Sequence, residues 1–270
     1  MKFSEAAELL SKSGIESPRH DAKEIFIHFG GFSPSDLLVG NPESENCELI
    51  HAISRRAARE PLQYIIGEVG FYRETYFVSE ACLIPRPDTE ILVDYAVKNL
   101  TRGASFLDLC TGSGCVAIST LSNTRNTVAS AIDISEDAVE IAKRNAERNN
   151  VSDRIDFAVK DVTSEVYPGK YDAILSNPPY VTHDAYKALQ PEIYHEPKIA
   201  FLGGLDGLDF YRAILDLYKD SLKDHGFFAF EIGYDQADSI IKLSEERGFS
   251  AEILTDYSSN PRVAVLKPIR

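Results

Sequence analysis

A strand that runs directly into a glycine turn decides the fold of this chain: Ser105-Phe106-Leu107-Asp108-Leu109-Cys110-Thr111-Gly112-Ser113-Gly114-Cys115. The opening residues are mostly apolar and predict a buried strand. The small residues after them let the backbone turn sharply, and the helix beyond begins with free N–H groups. Such a corner can hold an anion, either a phosphate or a carboxylate. Alone the turn is weak evidence, because a tight strand–helix connection explains it equally well.

Strands and helices alternate from this turn onward. Apolar runs predict strands at residues 105–110, 127–133, 154–161, 171–176, 226–232, 252–254 and 263–266. Periodic segments predict helices at residues 136–149, 208–223 and 236–246. This alternation implies a parallel sheet with helices on both faces. Only a polar turn separates the last two strands, so one of them should lie antiparallel to its neighbours.

The first sixty residues have a different pattern, in which short helices begin and end at clear signals. Ser17-Pro18 and Ser33-Pro34 each place a cap before a proline at the first helical position. We predict four short helices in a bundle over residues 1–62, which would serve as an interaction module. A hairpin linker follows at residues 63–86, and the α/β domain occupies residues 87–270.

Two acidic residues end the strands beside the glycine turn. Asp133 is placed to accept hydrogen bonds from two ribose hydroxyls, and Asp161 can accept from an amino group such as that of adenine. Each could instead cap a helix, but together with the turn they share the sheet edge where such folds bind ligands. The turn lacks the three-glycine dinucleotide fingerprint and the Gly-Lys-Ser/Thr of a P-loop. A nucleoside bearing a carboxylate, S-adenosylmethionine, therefore fits better than NAD or ATP.

The tetrapeptide Asn177-Pro178-Pro179-Tyr180 ends another buried strand and indicates the chemistry. The prolines cannot continue the strand, so a carboxamide and backbone carbonyls are left facing open space. A planar NH2 group has two hydrogens in fixed directions, and such a site can accept both. We hypothesise that the Asn177 carboxamide and the backbone carbonyls after it accept the hydrogens of such a group. A stiff strand-ending loop is the alternative.

Composition limits the remaining possibilities. The 270 residues are 44% hydrophobic and 26% charged, as in ordinary globular proteins, and the net charge of −14 argues against a general nucleic-acid binder. Four scattered cysteines show no paired metal spacing, so we predict free thiols and no metal. No apolar run is long enough to cross a bilayer, and the acidic N-terminal segment does not resemble a secretory signal. These features predict a cytoplasmic protein.

These segments together resemble the protein-(glutamine-N5) methyltransferases that modify peptide-chain release factors, the PrmC/HemK family. The resemblance covers nearly the whole chain, and its most specific segments are residues 84–90, 108–114, 176–180, 196–197 and 203–207. It implies a Rossmann-like, seven-stranded class I methyltransferase sheet with a small N-terminal helical bundle joined by a β-hairpin. It also implies S-adenosyl-L-methionine as donor, S-adenosyl-L-homocysteine as product and the Gly-Gly-Gln loop of class I release factors as acceptor. Neither direct nucleic-acid binding nor a membrane partner is expected.

The resemblance further implies roles for individual residues. The cofactor-binding set would be Cys110, Thr111, Gly112, Ser113, Gly114, Asp133, Asp161, Val162 and Asn177. The catalytic groups would be Asn177 and Pro178, and the substrate-binding residues would be Asn177, Pro178, Pro179, Tyr180, Phe71 and Arg86. We interpret His183 and His195 as parts of the substrate-side loop rather than as bases. The N-terminal bundle would recognise the body of the release factor.

Other functions stay open at this stage. A sister family that methylates a glutamine of a large-subunit ribosomal protein shares the glycine turn and the tetrapeptide, but we expect Arg-Ser-Pro where this chain has Arg86-Pro87-Asp88. A DNA adenine-N6 methyltransferase faces the same NH2 chemistry, although the acidic balance disfavours it. A non-catalytic nucleoside-binding scaffold would bind the cofactor without methyl transfer. Cys110 and Val162 depart from the family pattern, where glycine and an aromatic residue are common.

Overall fold

The computed structural model describes residues 1–269, so Arg270, the last residue of the predicted α/β domain, lies outside the described residues. The chain forms two units, one of Met1–Glu68 with Gln190–His195 and one of Val69–Leu189 with the chain from Glu196 onward. The boundary at residues 68 and 69 falls within the segment that we predicted as a hairpin linker. The short segment that returns to the first unit has no signal in the sequence.

The first unit is helical. Its helices are α1 (Phe3–Lys12), α2 (Pro18–Gly30), α3 (Pro34–Val39), α4 (Cys47–Ala57) and α5 (Leu62–Ile66). The four predicted helices are present, and α5 is a short fifth helix that the pattern did not reveal. Ser33 caps α3, where its hydroxyl accepts a hydrogen bond from the Asp36 N–H at 3.3 Å. The apolar faces of the helices meet in a core that includes Leu10, Phe26 and Ile53.

Charge holds the segment Gln190–His195 in this helical unit. Arg56 is buried and donates to Asp21 at 2.7 Å and to Glu192 at 3.1 Å, while Arg59 donates to Glu192 at 2.7 Å. Breaking a buried pair by removing one partner costs about 3–5 kcal/mol, because a charge is then left without compensation. The pairs therefore fix Glu192, and the chain on either side of it, against α2 and α4.

The second unit begins with a hairpin and continues as alternating helices and strands. In chain order its elements are β1 (Glu68–Phe71), β2 (Glu74–Phe77), α6 (Glu90–Asn99), β3 (Ser105–Leu109), α7 (Cys115–Ser122), β4 (Val128–Asp133), α8 (Glu136–Arg148), β5 (Ile155–Val159), β6 (Tyr171–Ser176), α9 (His183–Tyr186), α10 (Asp209–Tyr218), β7 (Leu222–Glu231), α11 (Ala237–Glu245), β8 (Phe249–Thr255) and β9 (Pro261–Pro268).

Seven of these strands form one sheet in the order β5-β4-β3-β6-β7-β9-β8. The first five in this order pair in parallel, and β9 pairs antiparallel with both β7 and β8. The predicted seven-stranded sheet with one antiparallel strand is confirmed. Helices cover both faces of the sheet, and two apolar cores lie between them, one containing Phe106 and the other Phe228.

The strand order reverses between β3 and β6, and this reversal positions the candidate site. From β3 the sheet continues to β4 on one side and to β6 on the other, so the connections from these strands diverge at their carboxyl ends. Leu109 pairs with Ser176, and Ser176 pairs with Phe230. Because each strand ends within one residue of these pairs, the residues that follow them, including Cys110 and Asn177, leave the sheet side by side.

Candidate active site

A cavity opens at this carboxyl edge of the sheet. Its walls come from the loops after β3, β4, β5 and β6, together with the segment before α6 and residues 197–200. Among the residues predicted from sequence, those that line it are Arg86, Cys110, Thr111, Gly112, Ser113, Asp133, Asp161, Val162, Asn177 and Pro179. Loops from four separate strands thus bring most of the predicted site residues around one cavity.

The glycine turn is held by a carboxyl group beneath it. Asp108 Oδ2 accepts from the Thr111 hydroxyl at 2.6 Å and from the Ala117 N–H at 3.3 Å, which ties the turn to the start of α7. Asp108 is 1% exposed, and burial raises its pKa to about 7 because the charged form is poorly solvated there. The turn therefore rests on a carboxyl group that is half protonated near neutral pH.

Three residues of the turn, Cys110, Gly112 and Gly114, have left-handed backbone conformations, and the first and last of them differ in their consequences. Gly114 has a φ of 82°, and a Cβ there would come within 2.8 Å of Ile118 and 3.1 Å of Ala142. Gly114 does not line the cavity; its small size lets the turn pack closely against α7 and α8. Cys110 has a φ of 60°, an uncommon conformation for a residue with a side chain. This explains why glycine is common at the position, and burial raises the pKa of the Cys110 thiol.

Asp133 and Asp161 lie on the cavity wall in different environments. Asp133 accepts from the Gly112 N–H at 2.8 Å and the Ser135 N–H at 3.0 Å, and burial raises its pKa. Asp161 lies two residues beyond the end of β5, and hydrogen bonds from the Thr163 hydroxyl and N–H lower its pKa. Asp133 therefore braces the glycine turn, whereas Asp161 is a half-buried anion held by Thr163.

Asn177 lies directly after β6 with its amide oriented by a neighbour. Asn177 Nδ2 donates to Thr89 Oγ1 at 3.1 Å, and among the described residues no group donates to Asn177 Oδ1 or to the Pro178 carbonyl. Pro178 is buried and does not line the cavity, while Tyr180 is partly buried and donates to Glu231 at 3.2 Å. The loop after β6 thus carries two acceptor oxygens with no partner in the described chain.

Two residues predicted on the substrate side, Arg86 and Phe71, have different positions. Arg86 lines the cavity and is paired with the buried Glu196, which also accepts from the Ile84 N–H at 3.0 Å. Phe71 was expected to line the acceptor groove but lies in a core instead, 3% exposed, where its ring packs edge-on against Tyr76. The aromatic ring buries more apolar surface there than an open groove would allow.

Neither of the two histidines lines the cavity. His183 begins the short helix α9 and is exposed, and His195 belongs to the segment that returns to the helical unit. Both placements agree with the interpretation that neither acts as a base.

Two polar residues of the site were missed in the sequence. Thr89 precedes α6 but makes no capping hydrogen bond, and its hydroxyl donates to Glu231. Glu231 ends the apolar strand β7, and it is 3% exposed with its pKa raised by burial to about 7. The sequence did contain a signal for Glu231, because an acidic residue inside the otherwise apolar run Phe228-Ala229-Phe230-Glu231-Ile232 is unusual.

The residues present fit a nucleoside carrying an amino-acid tail. Ser113 Oγ is buried without a hydrogen-bond partner on the cavity wall, so it is free to bind a ligand. A Cβ on Gly112 would meet no atom within 4 Å, which leaves open space above the turn. Among residues 1–269 no group of three or more His, Cys, Asp or Glu side chains could hold a metal ion. Within that same range, no helix is long and apolar enough to span a bilayer.

Comparison with known proteins identifies both parts of the chain. Residues 3–67 match the model of the PrmC N-terminal domain, and residues 87–198 match that of the methyltransferase small domain. A solved ribosomal protein L11 methylase from Lactobacillus delbrueckii is 17% identical, covers 72% of this chain and 84% of its own, and superposes with a TM-score of 0.53. This likeness supports the fold alone.

Similar sequences cover almost the full length. The release factor glutamine methyltransferase of Fusobacterium nucleatum is 34% identical over 98% of this chain and 77% of its own. That of Thermodesulfovibrio yellowstonii is 39% identical over 92% of this chain and 91% of its own. With both domain models matched in order, the chain belongs to the release factor glutamine methyltransferase family.

Proposed function

We propose that this protein transfers a methyl group from S-adenosyl-L-methionine to the side-chain amide nitrogen of the glutamine in the Gly-Gly-Gln motif of class I release factors. The observation that carries the proposal is the pair of free acceptors at the end of β6, Asn177 Oδ1 and the Pro178 carbonyl. Two acceptors suit a primary amide, which has two hydrogens to donate. Family membership supports the choice of glutamine as the residue that carries this amide.

Residues of the cavity wall would hold the cofactor. Ser113 and the backbone from Cys110 to Gly114 would receive its amino-acid end, Asp133 its ribose hydroxyls, and Asp161 with Val162 its adenine. When bound, S-adenosylmethionine supplies an electrophilic methyl group on a sulfonium. The product left in the site would be S-adenosyl-L-homocysteine. The raised pKa of Asp133 and the lowered pKa of Asp161 support these different roles, a braced acceptor and a half-buried anion.

Asn177 and Pro178 would make the amide nitrogen reactive by position and charge. An amide nitrogen is a poor nucleophile, because its lone pair is delocalised into the carbonyl. Hydrogen bonds to Asn177 Oδ1 and the Pro178 carbonyl would fix the nitrogen, and they strengthen as it becomes cationic. The bonds therefore stabilise the transition state more than the ground state, and a proton can pass to water afterwards. Turnover then requires no general base.

Residues around this pair would bind the rest of the substrate. Pro179 and Arg86 line the same cavity as Asn177, and Arg86 is held in its ion pair with Glu196. Tyr180 follows Pro179 and would complete the substrate-binding set. We include the helical unit as the surface that recognises the body of the release factor. A short Gly-Gly-Gln peptide should accordingly be methylated much more slowly than the whole factor.

Intact-mass analysis tests this proposal. Purified release factor is incubated with the protein and S-adenosylmethionine, beside a factor whose Gly-Gly-Gln glutamine is changed to alanine. We expect one added methyl on the native factor and none on the changed one. An unmodified native factor, with cofactor still bound to the protein, would contradict the proposal and favour the ribosomal-protein substrate. Duplex DNA would then be the next acceptor to test.

A further inference from the structure

Glu231 is a buried carboxyl group at the end of β7 that the proposed reaction does not use. It is 3% exposed, and its two oxygens have separate partners: Oε2 accepts from the Thr89 hydroxyl and Oε1 from the Tyr180 hydroxyl at 3.2 Å. A buried acid is costly unless its oxygens are satisfied, so its retention beside Asn177 calls for a reason.

The two hydrogen bonds that link Asn177, Thr89 and Glu231 both donate toward Glu231. Above its pKa of about 7 Glu231 is a carboxylate, which only accepts, so the single hydroxyl proton of Thr89 is then committed to Glu231. Thr89 Oγ1 can then only accept from its other neighbour, and the Asn177 group that faces it at 3.1 Å is the NH2. Asn177 Oδ1 must therefore face away from Thr89, with no partner in the described chain.

Sheet register brings these groups together. Ser176 and Phe230 are paired across β6 and β7, so the next residues, Asn177 and Glu231, leave neighbouring strands at the same level. Thr89 lies just before α6 and is 1% exposed. It lines the cavity and bonds to both Asn177 and Glu231. The pairing of β6 with β7 thus fixes the positions of Asn177 and Glu231, and the start of α6 fixes that of Thr89.

We propose that Glu231 and Thr89 are positioning residues that set which face of the Asn177 amide meets the substrate. Without them the amide could rotate by half a turn and present its NH2 to the substrate NH2, where two donors would repel each other. The inference rests on the proposed function, because it assigns the direction of the hydrogen bonds to the same substrate amide. Glu231 and Thr89 act through Asn177 and do not touch the substrate themselves.

Thr89→Val removes the hydroxyl while keeping the shape of the side chain. We expect kcat to fall about 10-fold, since the amide loses the hydrogen bond that orients it, with the cofactor Kd within about 2-fold of the wild-type value. Thr89→Ser should restore kcat. Thr120→Val is the matched control, because Thr120 is buried in α7 and its hydroxyl has no hydrogen-bond partner.

A double variant separates positioning from a structural role. If Thr89 acts only through Asn177, adding Thr89→Val to Asn177→Ala should change kcat by less than about 2-fold. A further fall as large as in the wild-type background would overturn the inference. Thr89→Ala, which puts no methyl group in place of the hydroxyl, gives the same test should the valine variant not fold.

Glu231→Met tests the other positioning residue. It removes both acceptor oxygens at similar volume, so the Thr89 proton is free to point at Asn177. We expect kcat to fall about as far as in Thr89→Val. Unchanged kcat in either variant, with wild-type protein active in the same assay, would contradict the inference and leave the proposed function intact. An inactive wild-type protein would contradict the proposed function instead.

Discussion

The loops after β3 and β6 leave adjacent strands of one sheet, yet they are fixed by different means. The β3 loop is held from nearby positions: Asp108 bonds to Thr111 and Ala117, and Asp133 bonds to Gly112, 21 positions away. The β6 loop is held from a distance: Asn177 bonds to Thr89, 88 positions away, and Thr89 bonds to Glu231, 142 positions away. The first arrangement shapes a surface for binding, and the second orients one amide for reaction. We therefore expect variants of the two loops to affect different measured quantities.

The largest effect should come from Asn177→Ala. Removing one of the two acceptors should lower kcat about 100- to 1000-fold, because such groups act on charge that develops in the transition state. The cofactor Kd should change by less than about 3-fold. Turnover kinetics and calorimetric titration with S-adenosylmethionine measure the two quantities. Asn99→Ala, at an exposed asparagine of α6, is the control. A wild-type kcat in Asn177→Ala would show that the Asn177 side chain takes no part in the reaction.

Asp133→Asn should give the opposite result. Loss of a charged acceptor weakens hydrogen bonds to the ribose, so the cofactor Kd should rise about 10- to 100-fold. The kcat at saturating cofactor should stay within about 5-fold of wild type. Asp156→Asn, at an exposed position of β5, serves as the control. A large fall in kcat with an unchanged cofactor Kd would contradict the assignment of Asp133 to cofactor binding.

Asp108 should make the stability of the cofactor-free protein depend on pH. Its folded pKa of about 7 lies above its ordinary value of 3.8, so the folded state binds the extra proton between these limits. The stability from this group is complete below pH 4 and is lost as the pH rises through about 7, by at most about 1.4 kcal/mol per pH unit.

Denaturant unfolding of wild type and Asp108→Asn from pH 5 to 8 measures this dependence. The free energy of unfolding of the variant, minus that of wild type, should increase with pH, because asparagine does not titrate. A difference that is constant across this pH range would mean that folding does not raise the pKa of Asp108.

The smallest effect should come from Cys110. A β-branched side chain fits its φ of 60° poorly, so Cys110→Val should lower the free energy of unfolding by about 1–2 kcal/mol. Cys110→Gly should stay within about 1 kcal/mol of wild type, because relief of the backbone offsets the lost side chain. Thermal unfolding of the two variants measures this difference. Equal stability of both would show that the fold does not require a left-handed conformation at Cys110.

The sequence was informative where structure depends on near neighbours. The seven strands, the helix starts at Pro18 and Pro34 and the placement of Asp133 follow from local patterns. Ser33 caps its helix as predicted, whereas Ser17 makes no side-chain capping hydrogen bond. Phe71 was misplaced because a strand side chain can point to either face, and neighbouring residues do not decide which.

Non-local partners explain the other omissions. Thr89 bonds to Asn177 and Glu231, which lie 88 and 142 positions away, so no pattern near Thr89 indicates these partners. The segment Gln190–His195 returns to the helical unit because Glu192 meets Arg56 and Arg59, and no local pattern encodes those pairs.

The central claim is that the methyl group reaches a side-chain amide nitrogen, and the chemistry of the product tests it most directly. Release factor is methylated with S-adenosylmethionine carrying a deuterated methyl group, then hydrolysed in acid, and the released small molecules are identified by mass spectrometry. An N-methyl amide hydrolyses to a carboxylic acid and methylamine, so we predict deuterated methylamine in an amount equal to the methyl transferred. Label that stays on another amino acid, or is released as methanol, would contradict amide methylation.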